Sequence, residues 1–137
     1  MTSYPTIADV MAIHEEVMSW FGLGPNPIRD ENALDSAISR TRMAEFYEDA
    51  DLLRQAALLA VGISQAQAFL DGNKRSALAA TDAFLRRNGI DLRSVCSSLE
   101  FARELERVAE RPGERTAATE DFEGWLRERL APVSPSS

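Results

Sequence analysis

Between Gln67 and Arg75 the chain reads Gln-Ala-Phe-Leu-Asp-Gly-Asn-Lys-Arg, which sets a carboxylate, a glycine, an amide and two cations side by side. Helical patterns lie on both sides, with Gly72 and Asn73 at the joint. Glycine admits the left-handed geometry of a tight turn, and the amides of Asn73, Lys74 and Arg75 then project from the first turn of the following helix. Those amides, the positive end of the helix dipole and the charges of Lys74 and Arg75 together suit phosphate oxygens. Cations are disfavoured in a first helical turn, so two of them there call for an anion, and a polyphosphate carrying a metal supplies one. Asp71 stands one residue outside the helix and could hold that metal, since magnesium takes one or two carboxylates together with phosphate oxygens. Arg75 can fork two phosphate oxygens, whereas Lys74 acts as a mobile point charge. The competing reading is a helix start whose charges are merely solvated.

The elements that must position these groups follow from periodicity. Thr6 can cap a first helix with Ile7, Val10, Met11, Val17, Met18 and Phe21 on one stripe, ending at Gly22. His14, the only imidazole, falls on that stripe and is expected to be a core histidine bonded to backbone. Gly22 to Arg29, with two glycines and two prolines, reads as an ordered loop. Asp30 can cap a second helix to about Arg42 with Ala33, Leu34, Ala37 and Ile38 inside, and Met43 to Asp51 is open to helix or loop. A third helix from Asp51 carries Leu52, Leu53, Ala56, Leu59, Ala60 and Ile63 toward Phe69 and is expected to be the most buried. The fourth runs from Gly72 to Asn88-Gly89, making an antiparallel hairpin with the motif at its apex. Ile90 to Val95 reads as a connector or brief strand, and Ser97 or Ser98 can cap a fifth helix to about Glu110. Thr119 is expected to start a last helix that buries Phe122, Trp125, Leu126 and Leu130. Trp20 and Trp125 read as core or interface anchors. The expected fold is all-α, a compact bundle of about six helices.

With 137 residues and 45% hydrophobic content, one domain over 1–131 is expected, followed by a disordered tail at 132–137. Twenty-two acidic against fifteen basic residues leave a net charge of -7, which argues against direct nucleic acid binding and against an anionic membrane. A single cysteine, Cys96, excludes an internal disulfide, and with His14 far away in sequence it is not expected to be a nucleophile. Neither a signal peptide nor a long apolar run is read, so the expected compartment is the cytoplasm.

The stretch Gln67 to Arg75 resembles the signature of the Fic/Doc superfamily, His-x-Phe-x-Asp-Gly-Asn-Lys-Arg, and Lys74 before Arg75 favours its death-on-curing branch. His14 in the first helix, Ile28-Arg29-Asp30 opening the second and Phe84-Leu85-Arg86-Arg87-Asn88-Gly89 after the motif agree in order and spacing. One position departs. The family's catalytic histidine is Gln67 here, and an amide cannot accept a proton at neutral pH as imidazole can.

The resemblance implies ATP or another nucleoside triphosphate as substrate, and phosphates bound by Gly72, Asn73, Lys74 and Arg75. It further implies magnesium at Asp71, a protein hydroxyl as acceptor and catalytic work by Asp71, Lys74 and Arg75 with the residue at position 67. It also suggests that Phe46 and Tyr47, ahead of the central helix, dock target peptide, against the plainer reading of an aromatic pair on an acidic surface turn. Most Fic enzymes transfer a nucleotidyl group. The death-on-curing toxin phosphorylates a threonine of elongation factor Tu and is held by an antitoxin of the prevents-host-death type.

Loss of a positioned general base costs about 10²- to 10⁴-fold, although a loose phosphoryl-transfer transition state leans more on positioning and electrostatics. The expectation is therefore a toxin-type protein phosphotransferase weakened by the missing histidine, with Gln67 orienting the acceptor, His14 assisting, or no base at all. The alternatives are an inactive nucleotide- or protein-binding module, a nucleotidyl (AMP) transferase, or a toxic gene cloned as an inactive variant through the single-base change between histidine and glutamine codons.

Overall fold

Local side chains set most of the helix starts. In the computed structural model, which describes residues 2–22, 28–92, 97–111 and 113–130, six helices are formed among the described residues. They are α1 (Ile7–Trp20), α2 (Glu31–Tyr47), α3 (Leu52–Ala66), α4 (Asn73–Arg87), α5 (Ser98–Ala109) and α6 (Arg115–Leu130). Thr6 and Asp9 form a reciprocal capping box at α1, and Ser97 and Glu100 form another at α5. Asp30 Oδ1 accepts from Ala33 N at 3.0 Å and Asp51 Oδ1 from Arg54 N at 3.0 Å, which caps α2 and α3.

Of the stretch open to helix or loop, Met43–Tyr47 continues α2, whose last turns bury Thr41 and Ala44. One boundary differs from the expectation: helix α6 begins at Arg115, four residues before Thr119. The Thr119 hydroxyl donates to the Arg115 carbonyl at 2.8 Å, so this side chain is satisfied inside the helix and does not cap it.

Helix α3 is the middle of the bundle, with Ala56, Ala57, Leu59, Ala60, Val61 and Ile63 all fully buried. It packs on α2, α4 and α6. Gly62 lets α2 approach, since a Cβ there would lie 3.2 Å from the Ala37 Cβ. The ends fix the directions. Arg29 and Asp30 amides meet Ala68 just past α3, and Glu48 pairs with Arg54 at its start, so α2 and α3 are antiparallel. Asp51 pairs with Arg127, which likewise sets α6 antiparallel to α3.

Trp125 packs with Phe101 and Phe122 in a three-ring cluster, at centroid distances of 6.1 and 5.8 Å, as expected of an anchor in the α5–α6 interface. Trp20 is 78% exposed, so it is no core residue. After α4, Ile90 N donates to Leu85 O at 2.8 Å and Leu92 is buried, and no β-strand is formed among the described residues. The remainder of the expected 90–95 connector, Cys96, residues 23–27 of the first loop and the 132–137 tail lie outside the described residues. No helix among the described residues is long and apolar enough to cross a membrane.

Candidate phosphate-binding cleft

The α3–α4 turn is held from three sides. At its entry Gln67 adopts the left-handed conformation, φ 51° and ψ 39°, which is uncommon without glycine. Its Nε2 donates to the Ser64 carbonyl at 3.0 Å, capping the end of α3, and its own carbonyl accepts from Arg29 Nη2 at 2.6 Å. The amides of Arg29 and Asp30 both donate to Ala68 O, at 2.6 and 3.0 Å, and Ile28 forms an isolated antiparallel bridge with Phe69. Inside the turn, the Asn73 side chain accepts from Phe69 N at 3.0 Å and donates to Phe69 O at 2.8 Å. That amide group is therefore committed to the turn, and what Asn73 has left for an anion is its main-chain N–H.

His14 closes the turn from beneath. It is 2% exposed, its ring stacks on Phe69 at 3.7 Å between centroids, and its Nε2 lies 2.9 Å from the Asp71 carbonyl oxygen. The expectation of a core histidine bonded to backbone is met, and the ring sits behind the loop rather than in the cleft. Gly72 has φ 80°, and a Cβ there would lie 2.8 Å from Met18 Sδ and 3.3 Å from His14 Nε2. Glycine is needed on both grounds.

The outer face of the turn is a cleft of about 850 Å³ lined by Gln67, Asp71, Gly72, Asn73, Lys74 and Arg75, joined by Glu110 and Gly113 from beyond α5. Helix α4 starts there without a side-chain cap and without an acidic residue in its first turn. Of the motif, Gln67, Asp71, Gly72, Asn73, Lys74 and Arg75 thus share one surface, while Ala68 and Phe69 are buried behind it. Asp71 Oδ1 accepts from Gly72 N at 2.7 Å. Lys74 Nζ pairs with Glu110 Oε1. The Arg75 guanidinium lies over the Phe21 ring, 3.9 Å from its centroid, and also borders a second, more apolar cleft of about 590 Å³ between α1 and α4.

No group of three or more Asp, Glu, His or Cys residues suited to a metal occurs among the described residues. A single carboxylate at Asp71 nevertheless fits magnesium, which keeps most of its waters and takes its other ligands from phosphate.

Phe46 and Tyr47 are not brought to this cleft. They are 75% and 78% exposed at the far end of α2, beside the start of α3. At about 1.5 Å rise per residue, α3 carries the chain roughly 20 Å from there to Gln67. The segment that does lie against the motif is Ile28–Asp30. Sequence reasoning noticed those residues only as a helix opening, although extended residues after two prolines were a usable signal. Glu110 had no such signal, because it meets Lys74 across a sequence separation of 36 residues.

A buried helical hairpin presents uncapped amides, a carboxylate and two cations at its apex, the arrangement in which helix starts receive phosphate in other proteins. The model of the Fic/DOC family matches residues 4–85, and the chain belongs to that family. It is similar to toxin Doc of Mycolicibacterium smegmatis, 36% identical over 94 residues that make up 67% of this chain and 69% of the relative. It is also similar to protein kinase doc of Escherichia phage P1, 32% identical over 85 residues, covering 61% of this chain and 67% of that protein.

Proposed function

We propose that this chain is a Doc-type toxin, a nucleotide-dependent protein phosphotransferase slowed by glutamine at position 67. The observation that carries the reading is the single cleft at the start of α4 that holds Gln67, Asp71, Lys74 and Arg75 in a Fic/DOC family chain. The α4 amides, Lys74 and Arg75 bind the phosphates of ATP or a related triphosphate, and Arg75 leaves Phe21 to do so. Asp71 is the residue that would hold magnesium, which when bound neutralises phosphate charge. With Nε2 tied to Ser64, Gln67 keeps its carboxamide oxygen to accept a hydrogen bond from the acceptor hydroxyl, orienting it without taking its proton.

The name of the phage relative, protein kinase doc, supports phosphoryl rather than nucleotidyl transfer. By family resemblance the acceptor is a threonine of elongation factor Tu in the cytoplasm, and the regulating partner is an antitoxin of the prevents-host-death type. Residues 1–131 are the functional unit. A second reading, a nucleotide- or protein-binding module without turnover, is favoured by one observation: both cations of the motif already have partners, Glu110 and Phe21.

The test has two parts. Calorimetry should show magnesium-dependent heat with ATP that Arg75→Ala abolishes; silence from the native protein would make the cleft structural only. Gln67→His should then transfer label from γ-labelled ATP to a protein of a bacterial lysate about 10²-fold faster than the native chain. A folded, nucleotide-binding Gln67→His variant that stays inert supports the binding module. Label appearing only from α-labelled ATP would instead mean nucleotidyl transfer.

A further inference from the structure

The proposed reaction leaves one proton without an acceptor. His14 is buried behind the motif loop with its Nε2 on the Asp71 carbonyl, so the only imidazole does not reach the cleft. Gln67 is an amide. Among the described residues, two carboxylates line the cleft, Asp71 and Glu110. Asp71 has one oxygen on the Gly72 amide at the helix start and is the group suited to magnesium. Glu110 stands opposite, at the end of α5, with a side chain 59% exposed and its Oε1 on Lys74 Nζ. A carboxylate beside a lysine that meets the terminal phosphate is chemically apt, because protein kinases also use a carboxylate to receive the proton of the acceptor hydroxyl.

Resting on the phosphotransferase reading above, we infer that Glu110 is the catalytic base of this chain, taking the place of the family's histidine from a different element. The incoming terminal phosphate draws Lys74 to itself and releases the Glu110 carboxylate beside the reacting centre. The acceptor hydroxyl oxygen forms its bond to the γ-phosphorus as the bond from that phosphorus to the β-bridging oxygen breaks. The hydroxyl proton passes to Glu110, the nucleoside diphosphate leaves with the bond electrons, and Glu110 later returns the proton to water. The charged groups facing Glu110 are Lys74 and Arg75 of α4 and Asp71 of the turn, while neighbouring Arg111 is engaged by Asp121 of α6.

The experiment compares the native chain, Glu110→Gln, Gln67→His and the double variant, each with γ-labelled ATP, magnesium and a bacterial lysate, alongside ATP calorimetry. The expected result is a loss of about 10²-fold or more in native-chain transfer on Glu110→Gln, with ATP binding as tight or tighter. Gln67→His should make transfer independent of Glu110. The pH profiles should separate as well, the native rate persisting to lower pH than that of Gln67→His, because carboxylates as a class hold their proton less tightly than imidazoles. Transfer by Glu110→Gln equal to or faster than the native rate would overturn the assignment, showing that Glu110 only screens Lys74. A native chain that binds ATP but transfers nothing would overturn it too, leaving the phosphate site standing. Absence of ATP binding would remove the underlying reading and this one together.

Discussion

Gly72 concentrates two demands in one residue, a left-handed backbone at φ 80° and room for Met18 and His14. A Cβ costs about 1–2 kcal/mol for the backbone conformation alone, and the Met18 sulfur must also shift. Gly72→Ala is therefore expected to lower unfolding free energy by about 2 kcal/mol in urea titrations; a change under about 0.5 kcal/mol would show that the turn relaxes freely. His14 offers a second test at this scale. Replacing it by Phe keeps a ring against Phe69 but loses the bond to the Asp71 carbonyl. A cost of about 1 kcal/mol is expected, with ATP binding weakened because the carbonyl that anchors the loop is released. Unchanged calorimetric affinity would detach His14 from the cleft altogether.

At the scale of elements, α3 depends on Asp51, which caps its first turn and pairs with Arg127 of α6. The bond from Arg127 holds the Asp51 carboxyl below its ordinary value of 3.8, against the opposing effect of burial, and the Arg54 amide adds to the lowering. A depressed carboxylate contributes stability that is present above its unfolded pKa and is lost as pH falls through the lower folded value. Asp51→Ala should thus cost about 1 kcal/mol at pH 7. That difference should shrink below about pH 4 as the native carboxyl protonates. A gap that stays constant down to pH 2 would place the contribution in packing. Most of it belongs to the cap, because the Arg127 pair is roughly half exposed and exposed pairs contribute little.

For the whole molecule, packing gathers helix ends at one pole: the end of α3, the start of α4, the end of α5 and the extended residues before α2. The net charge of -7 surrounds that local basic site with a field that repels nucleic acid backbones. No retention on duplex DNA is expected at physiological salt, and a mobility shift there would contradict it. If the toxin reading holds, tagged protein recovered from its native host should carry a small companion protein. Recovery of the chain alone, with no antitoxin-like reading frame beside its gene, would count against that reading.

Local chemistry made much of this legible in the sequence. Caps at Thr6, Asp30, Asp51 and Ser97 need only neighbours three residues away, and Asp71-Gly72-Asn73-Lys74-Arg75 declares a glycine turn that opens a helix with cations in its first turn. The six-helix architecture followed from 3.6-residue periodicity. Thr119 looks like a cap in sequence, yet its bond to the Arg115 carbonyl lies inside a helix that starts four residues earlier. Three matters were left to the tertiary structure: which backbone carbonyl His14 meets, that Phe46 and Tyr47 lie at the opposite end of α3 from Gln67, and that Glu110 reaches Lys74. Each depends on how helices distant in sequence pack together, and apolar burial drives that packing without a local signal for which polar ends will meet.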